Sequence, residues 1–304
     1  MSRNVPSPVF EAVRAKSKIN IPELTSLIYG SAENYQKFVT RVDELDSIGF
    51  FPDNLNDLSK VDIIGHVIAK TQEWRKLTGN ENFFDKNPPD AILNMVQNIT
   101  GGIGLFMALP CIEHLGTDQQ IADWSHKISN GDFLTSYVQT ELGHGSDIQS
   151  IKTTATYDQT TREWVINTPS VDAYKWWPGD LGLTSNWIVL YGQIIVKGER
   201  KGVFPLFCQI RDMKTHKLLP KLIVGDIGPK WGYTTKDNGF MAFDNFRIPA
   251  TALLGRYAGI DAHGNWKTRG NMKVLYASMM FVREKILAYC GKGIGKFPSP
   301  KKKL

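Results

Sequence analysis

The run Asn130-Gly131-Asp132-Phe133-Leu134-Thr135-Ser136-Tyr137-Val138-Gln139 is where the periodicity of the chain changes. Before it, apolar residues recur at helical spacing. Ser31 precedes a charged stretch to about Ile48 with Tyr35, Phe38, Val39 and Val42 on the inward side. A second helix is predicted from about Leu58 to Leu77 on Val61, Ile64, Val67 and Ile68, and a third opens at Pro88-Pro89 with Ile92, Met95, Val96, Ile99 and Ile103. Gly101, Gly102 and Gly104 weaken that helix but permit close approach of a neighbour. Thr117-Asp118 caps a short helix that ends at Asn130-Gly131. After Gly131 the runs Phe133–Gln139, Ile151–Tyr157, Glu163–Asn167, Asn186–Val196, Val203–Ile210 and Gly239–Phe246 are β-branched or aromatic and separated by turn residues. Strands without intervening helices predict an antiparallel barrel or sandwich. A helical face returns from about Asn271 and breaks at the glycines from Gly291. The fold class expected is α+β: an N-terminal α-helical domain (1–131), a middle β domain (132–268), and the start of a further helix with a basic tail (269–304).

The chain has 304 residues, 42% of them hydrophobic and 11% aromatic, enough for a large buried core. Its net charge of +6 is mostly a tail property, because residues 291–304 hold five Lys and no acid, leaving +1 for the rest. A nucleic-acid-binding body is not implied. Cys111, Cys208 and Cys290 lack paired spacing, which argues against a disulfide framework or a cysteine-rich zinc site. No apolar run follows the first basic residues, so no secretory signal is expected. Residues 91–112 carry no charge and are just long enough for a bilayer, yet Asn94, Gln97, Asn98, Thr100 and Pro110 interrupt them, so a buried helix is expected and no membrane span.

Motif searching mostly excludes. Gly102-Ile103-Gly104 has Met107 where a dinucleotide fingerprint needs its third glycine, and Gly295-Lys296 has Cys290 where a phosphate loop needs its first. There is no HExxH, GxSxG or EF-hand loop, and six scattered histidines offer no metal set. Three segments remain. In Gln139-Thr140-Glu141-Leu142-Gly143-His144-Gly145-Ser146-Asp147 a strand ends in a glycine-punctuated turn whose N–H groups can face an anion or the carbonyls of a planar ring; it reads equally as an ordinary turn. In Lys175-Trp176-Trp177-Pro178-Gly179-Asp180-Leu181-Gly182 adjacent indoles can wall an apolar site, although a core Trp pair is the simpler reading. Val224-Gly225-Asp226-Ile227-Gly228-Pro229-Lys230, followed by Asp237-Asn238-Gly239-Phe240, reads as turn chemistry or a loop over a ligand.

Taken in order, Gln139–Ser146, Thr153–Asp158, Lys175–Gly179, Gly225–Lys230, Asp237–Phe240 and Arg247-Ile248-Pro249 resemble the acyl-CoA oxidases of the acyl-CoA dehydrogenase superfamily, with a weaker match through His114-Leu115-Gly116-Thr117. The resemblance implies FAD between the β domain and a C-terminal helical half, and oxidation of a fatty acyl-CoA to a trans-2-enoyl-CoA with hydrogen peroxide released from oxygen. By position it makes Thr140 and Gly179 flavin contacts, Trp176 and Trp177 walls of the flavin pocket, and Gly145 and Ser146 part of the acyl-CoA entrance. The catalytic glutamate of the family lies in the C-terminal half, and the match fades by about Ala288. No base is therefore nominated among these residues, Glu141 being read as a solvated or capping carboxylate, and the isolated chain is expected to be inactive.

Two alternatives remain open at this stage: a non-catalytic interaction or structural subunit, and an acyl-CoA dehydrogenase. The expected partners are fatty acyl-CoA and oxygen, with a homodimer or a complementing chain. The expected location is the peroxisome, which the terminal Lys302-Lys303-Leu304 supports only weakly.

Overall fold

A computed structural model describes residues 8–50, 54, 57–79, 102–231, 236–270 and 280. The helical face from Asn271 and most of the helix opening at Pro88-Pro89 lie outside the described residues. Helices α1 (Pro8–Ala15), α2 (Ile21–Tyr29), α3 (Ala32–Ser47) and α4 (Lys60–Thr78) come first. Side-chain caps set their starts: Asn20 Oδ1 accepts from Glu23 N, Ser31 Oγ from Asn34 N, and Ser59 Oγ from Asp62 N. Glycines in the left-handed region, Gly30 and Gly79, close α2 and α4.

The core between α3 and α4 gathers Leu45, Phe50, Ile63, Val67 and Trp74. Two residues expected inside are exposed, Tyr35 and Val61. Val61 lies two residues from Ile63, which on an α-helix is a rotation of about 200°, so the two cannot share the buried face.

Gly104–Ala108 is a π-helical turn leading into α5 (Leu109–Leu115), and the Leu109 N–H donates to Gly104 O. Pro110 follows directly; it has no N–H for an ordinary helical bond, and the widened turn precedes it. A β-carbon on Gly104 would lie 2.4 Å from Thr135 Oγ1. The close approach expected of these glycines is thus realised at Gly104. Helix α6 (Asp118–Ser129) begins in a capping box, with Gln120 N donating to Thr117 Oγ1 and Thr117 N donating to Gln120 Oε1.

The β portion holds two packed sheets. One contains β1 (Thr135–Val138), β2 (Thr154–Asp158), β3 (Glu163–Asn167), β5 (Trp187–Val196), β6 (Glu199–Gln209) and β9 (Phe246–Pro249), in the order β1-β5-β2-β3-β9 with β6 on the other side of β5. The other runs β4 (Lys175–Gly179), β8 (Asn238–Phe243), β7 (Leu222–Asp226). A small ribbon joins β10 (Ala258–Ile260) to β11 (Trp266–Thr268). Between the sheets lies a core of Trp164, Ile166, Ile188, Leu190, Leu206 and Met241 with their neighbours. On the far side of β5 and β6, Ile112, Leu115 and Ile128 of the helices pack against Tyr191 and Phe207.

The α+β class and its order are as the sequence predicted. The large sheet, however, is mixed: β1 and β2 both run parallel to β5, and the remaining pairings are antiparallel. The antiparallel expectation assumed that sequential strands pair. Here β1 and β2 instead lie end to end along one edge of β5, β1 against Trp187–Leu190 and β2 against Gln193–Ile195. Parallel partners need long connections, and the β2–β4 segment provides the one between β1 and β5. The site segments sit at the break between β1 and β2.

Candidate functional site

Where β1 gives way to β2, the β5 carbonyl of Tyr191 loses its strand partner. A lysine fills the gap. Lys175 Nζ donates to Tyr191 O (2.8 Å), Gln139 O (3.0 Å) and Glu141 Oε1 (3.1 Å). Glu141 in turn accepts from Lys152 N (2.8 Å), Thr153 N (2.9 Å) and Thr153 Oγ1 (2.7 Å). Both side chains are fully buried. A buried ion pair is tolerable only when its remaining donors and acceptors are satisfied, and here they are. Burial pushes the Lys175 ammonium down to about 8, against the pull of Glu141. Burial also raises the Glu141 carboxyl, but Lys175 and the N–H groups of Lys152 and Thr153 outweigh it, and the net direction is downward. At neutral pH both are charged. Glu141 is therefore a buried capping carboxylate; the solvated alternative is excluded by its 2% exposure.

This pair fixes the turn that carries Thr140. The Trp176 N–H donates to Thr140 O at 2.9 Å, so the strand end and the indole segment are joined directly. Gly145 lies beside Thr140, since a β-carbon there would come to 3.5 Å from Thr140 Cγ2; Gly145 and Ser146 are both exposed. Trp176 is half-buried and stacks on Phe240 across the β4–β8 pairing, ring centroids 5.6 Å apart. Phe240 lies over Gly225 of β7, where a β-carbon would meet the ring at 2.6 Å. The three residues make one flat apolar band across the smaller sheet. In the sequence its parts read separately, Trp176 as half of an indole pair and Gly225 and Phe240 as turn chemistry, because β4 and β7 are five-residue strands containing Gly or Pro, which conceal strand character.

Trp177 behaves differently from its neighbour. The β4–β8 register shifts between Trp176 and Gly179, and within that bulge Trp177 takes φ 81° with its indole 53% exposed. A left-handed backbone at a bulky aromatic residue costs on the order of 1–3 kcal/mol and persists only where its surroundings enforce it. Gly179 is buried, its carbonyl accepting from Ser136 Oγ at 2.7 Å, and the place of its missing β-carbon is filled by Ile103 (2.8 Å) and Lys236 (3.2 Å). Glycine is required there for packing against the helix and Lys236. The structure thus brings Thr140, Gly145 and Trp176 together, projects Trp177 from the same strand, and seats Gly179 on the buried side.

Lys175, Asp180 and the segment Lys236-Asp237-Asn238 escaped the sequence reading as structural anchors. Asp180 is buried and paired with Lys236; burial raises its carboxyl, partly offset by that lysine. Asp237 Oδ2 accepts from Leu183 N, Thr184 N and Thr184 Oγ1. The one available signal was a lysine flanked by Tyr174 and two Trp, an apolar context that demands a buried counter-charge. Among the described residues no group of His, Cys, Asp and Glu could hold a metal, and no helix is long and apolar enough to cross a membrane.

Comparison with known proteins agrees with this architecture. Residues 20–134 match the family model for the acyl-coenzyme A oxidase N-terminal region. Peroxisomal acyl-coenzyme A oxidase 1 of Bos taurus is 32% identical over 306 residues, covering 95% of this chain and 44% of that protein. Among solved structures, a tomato acyl-CoA oxidase superposes with TM-score 0.82 at 30% identity, covering 92% of this chain and 43% of that one. Acyl-CoA oxidase-1 of Caenorhabditis elegans, complexed with FAD and ATP, gives 0.77 at 30%, covering 92% and 44%. The chain thus spans less than half the length of these relatives.

Proposed function

We propose, on the premise that this chain belongs to the acyl-CoA oxidase family and carries its N-terminal and middle part, that its β portion forms one wall of an FAD site for oxidation of a fatty acyl-CoA to a trans-2-enoyl-CoA. The observation that carries this reading is the 2.9 Å bond from Trp176 N to Thr140 O, which holds a hydroxyl-bearing strand end beside a flat aromatic band. The residues present fit a planar tricyclic ring: Trp176 and Phe240 offer stacked apolar faces, and Trp177 presents an exposed indole. The chemistry supplied by FAD when bound is acceptance of the hydride from the acyl β-carbon, with oxygen as final acceptor and hydrogen peroxide as product.

The roles of the chain's own residues follow. With FAD bound, Thr140 would offer its hydroxyl as a donor that stabilises negative charge on the ring. Trp176 and Trp177 exclude water from its face, Gly179 contributes backbone, and Gly145 and Ser146 shape the acyl-CoA entrance. Glu141 is not the α-proton base, because its oxygens are committed to Lys175, Lys152 and Thr153. Turnover then needs a base from outside these elements, and general base catalysis is worth roughly 10²–10⁴-fold.

Exposed apolar residues, Leu27 on α2 and Ile223 on β7 among them, favour a chain that works in association, either with a second copy or with a complementing chain. The domain division 1–131, 132–268 and 269–304 and a peroxisomal location, which the names of the relatives support, belong to the same reading.

The test is the visible spectrum of the purified chain with added FAD, together with peroxide release from medium- and long-chain acyl-CoA. A yellow protein whose flavin is bleached by acyl-CoA supports the reading; a colourless protein indifferent to FAD overturns it. Bleaching with an artificial acceptor but no peroxide would instead assign a dehydrogenase, and stable association without flavin uptake an interaction subunit.

A further inference from the structure

Three consecutive residues, Lys236-Asp237-Asn238, grip the β4 bulge and Asp180, the residue that follows it. Asn238 Nδ2 donates to Trp177 O at 2.7 Å, and Asn238 pairs in register with Gly179. The Asp180 N–H donates to Asp237 O at 2.7 Å, and the Lys236 ammonium bonds the Asp180 carboxylate. Both non-glycine outliers of this stretch, Trp177 at φ 81° and Asp180 at φ 66°, fall between these contacts. Asp237 extends the grip onward by capping Leu183 and Thr184. Among the described residues, Trp177 is the largest side chain held at positive φ, and it points outward while Trp176 lies flat on Phe240. Bulges of this kind re-aim a side chain beside functional sites.

We propose that Lys236, Asp237 and Asn238 are positioning residues: they hold the β4 bulge in its strained form so that the Trp177 indole stands out of the sheet as a stacking wall for a planar ligand. The ligand's identity as a flavin rests on the function proposed above; the clamp itself does not. It makes the two adjacent indoles unequal: Trp176 lies flat on Phe240 within the wall, and Trp177 projects from it.

The experiment uses the full chain labelled with 5-fluorotryptophan, the Trp177 resonance being assigned with Trp177→Phe. Asn238→Asp keeps the size of the side chain and removes the donor; Asn238→Ala removes the side chain. Both are expected to shift the Trp177 fluorine signal and increase its accessibility to a soluble quencher while the Trp164 and Trp187 signals stay in place. A Trp177 signal unmoved in a folded variant overturns the proposal. Trp177→Gly, which accepts positive φ without strain, keeps the test decisive if those variants fail to fold. It should leave the melting temperature unchanged or higher, and a fall of more than about 4 °C would make the indole a packing element and refute the idea. In a separate arm FAD is titrated into each protein, with affinity expected to fall about tenfold in Asn238→Asp. Absence of FAD binding by the unaltered chain would defeat the functional reading, while the fluorine signals still decide the clamp.

Discussion

Replacing Lys175 by Met tests the seam on which the site is built. The change keeps the length of the buried stem and removes the ammonium from three acceptors: Tyr191 O, Gln139 O and Glu141 Oε1. Leaving one partner of a buried ion pair unmatched costs about 3–5 kcal/mol. Each carbonyl that finds no replacement donor adds about 1–3 kcal/mol, though these terms overlap and do not sum. Taking about 3–4 kcal/mol as the working figure, the melting temperature should fall by about 5–6 °C, since an unfolding entropy of about 2.1 cal/mol/K per residue over 304 residues gives roughly 1.6 °C per kcal/mol. The assay is urea and thermal unfolding of the unaltered chain, Lys175→Met, Glu141→Gln and the double variant, followed by tryptophan fluorescence. The double variant should regain part of the loss, because neither charge is then stranded. A Lys175→Met protein within 1 kcal/mol of the original, or a cycle with no coupling between the two sites, would refute the reasoning. Thr140 lies between two residues tied to this lysine, so flavin affinity should fall with stability.

Acid stability offers an independent check on Glu141. Its folded pKa lies below the ordinary value of 4.5, so the stability it contributes is complete above that value and is lost as pH falls through the folded one. Glu141→Gln should therefore flatten the pH dependence of the unfolding free energy below about pH 4.5; an unchanged slope in denaturant titrations would contradict this. Gly104→Ala should destabilise by about 1–3 kcal/mol, since its methyl would sit 2.4 Å from Thr135 Oγ1, and Thr135→Ala should relieve much of that loss in chemical denaturation. Thr140→Val should leave the melting temperature close to that of the parent and weaken FAD binding, measured by flavin fluorescence, by about fivefold to tenfold. Equal affinity would remove Thr140 from the site.

Much of the helical portion was legible because capping is local. Ser31, Thr117 and Gly131 announce their helix ends within a few residues. The long strand β5 was equally plain as a nearly continuous apolar run, and β6 was plain from Val203 onward, its charged start Glu199–Gly202 going unread. What escaped was whatever depends on partners distant in sequence. The parallel pairing of β1 and β2 with β5 cannot be read from either strand alone, and β4 and β7 disguise themselves with Pro178 and Gly225. The site divided in the same way. The strand end at Thr140 and the tandem indoles were conspicuous, whereas Lys175 and Asn238 matter through atoms 16 to 61 residues away.

The lysine seam also constrains the order of assembly. It is complete only when residues near 139–141, 175 and 191–193 have met, and no two of these groups are neighbours along the chain. Closing such separations is entropically expensive and is rewarded only afterwards, so the turn carrying Thr140 is expected to form late. Any ligand that binds only the assembled turn would hold the seam closed by mass action.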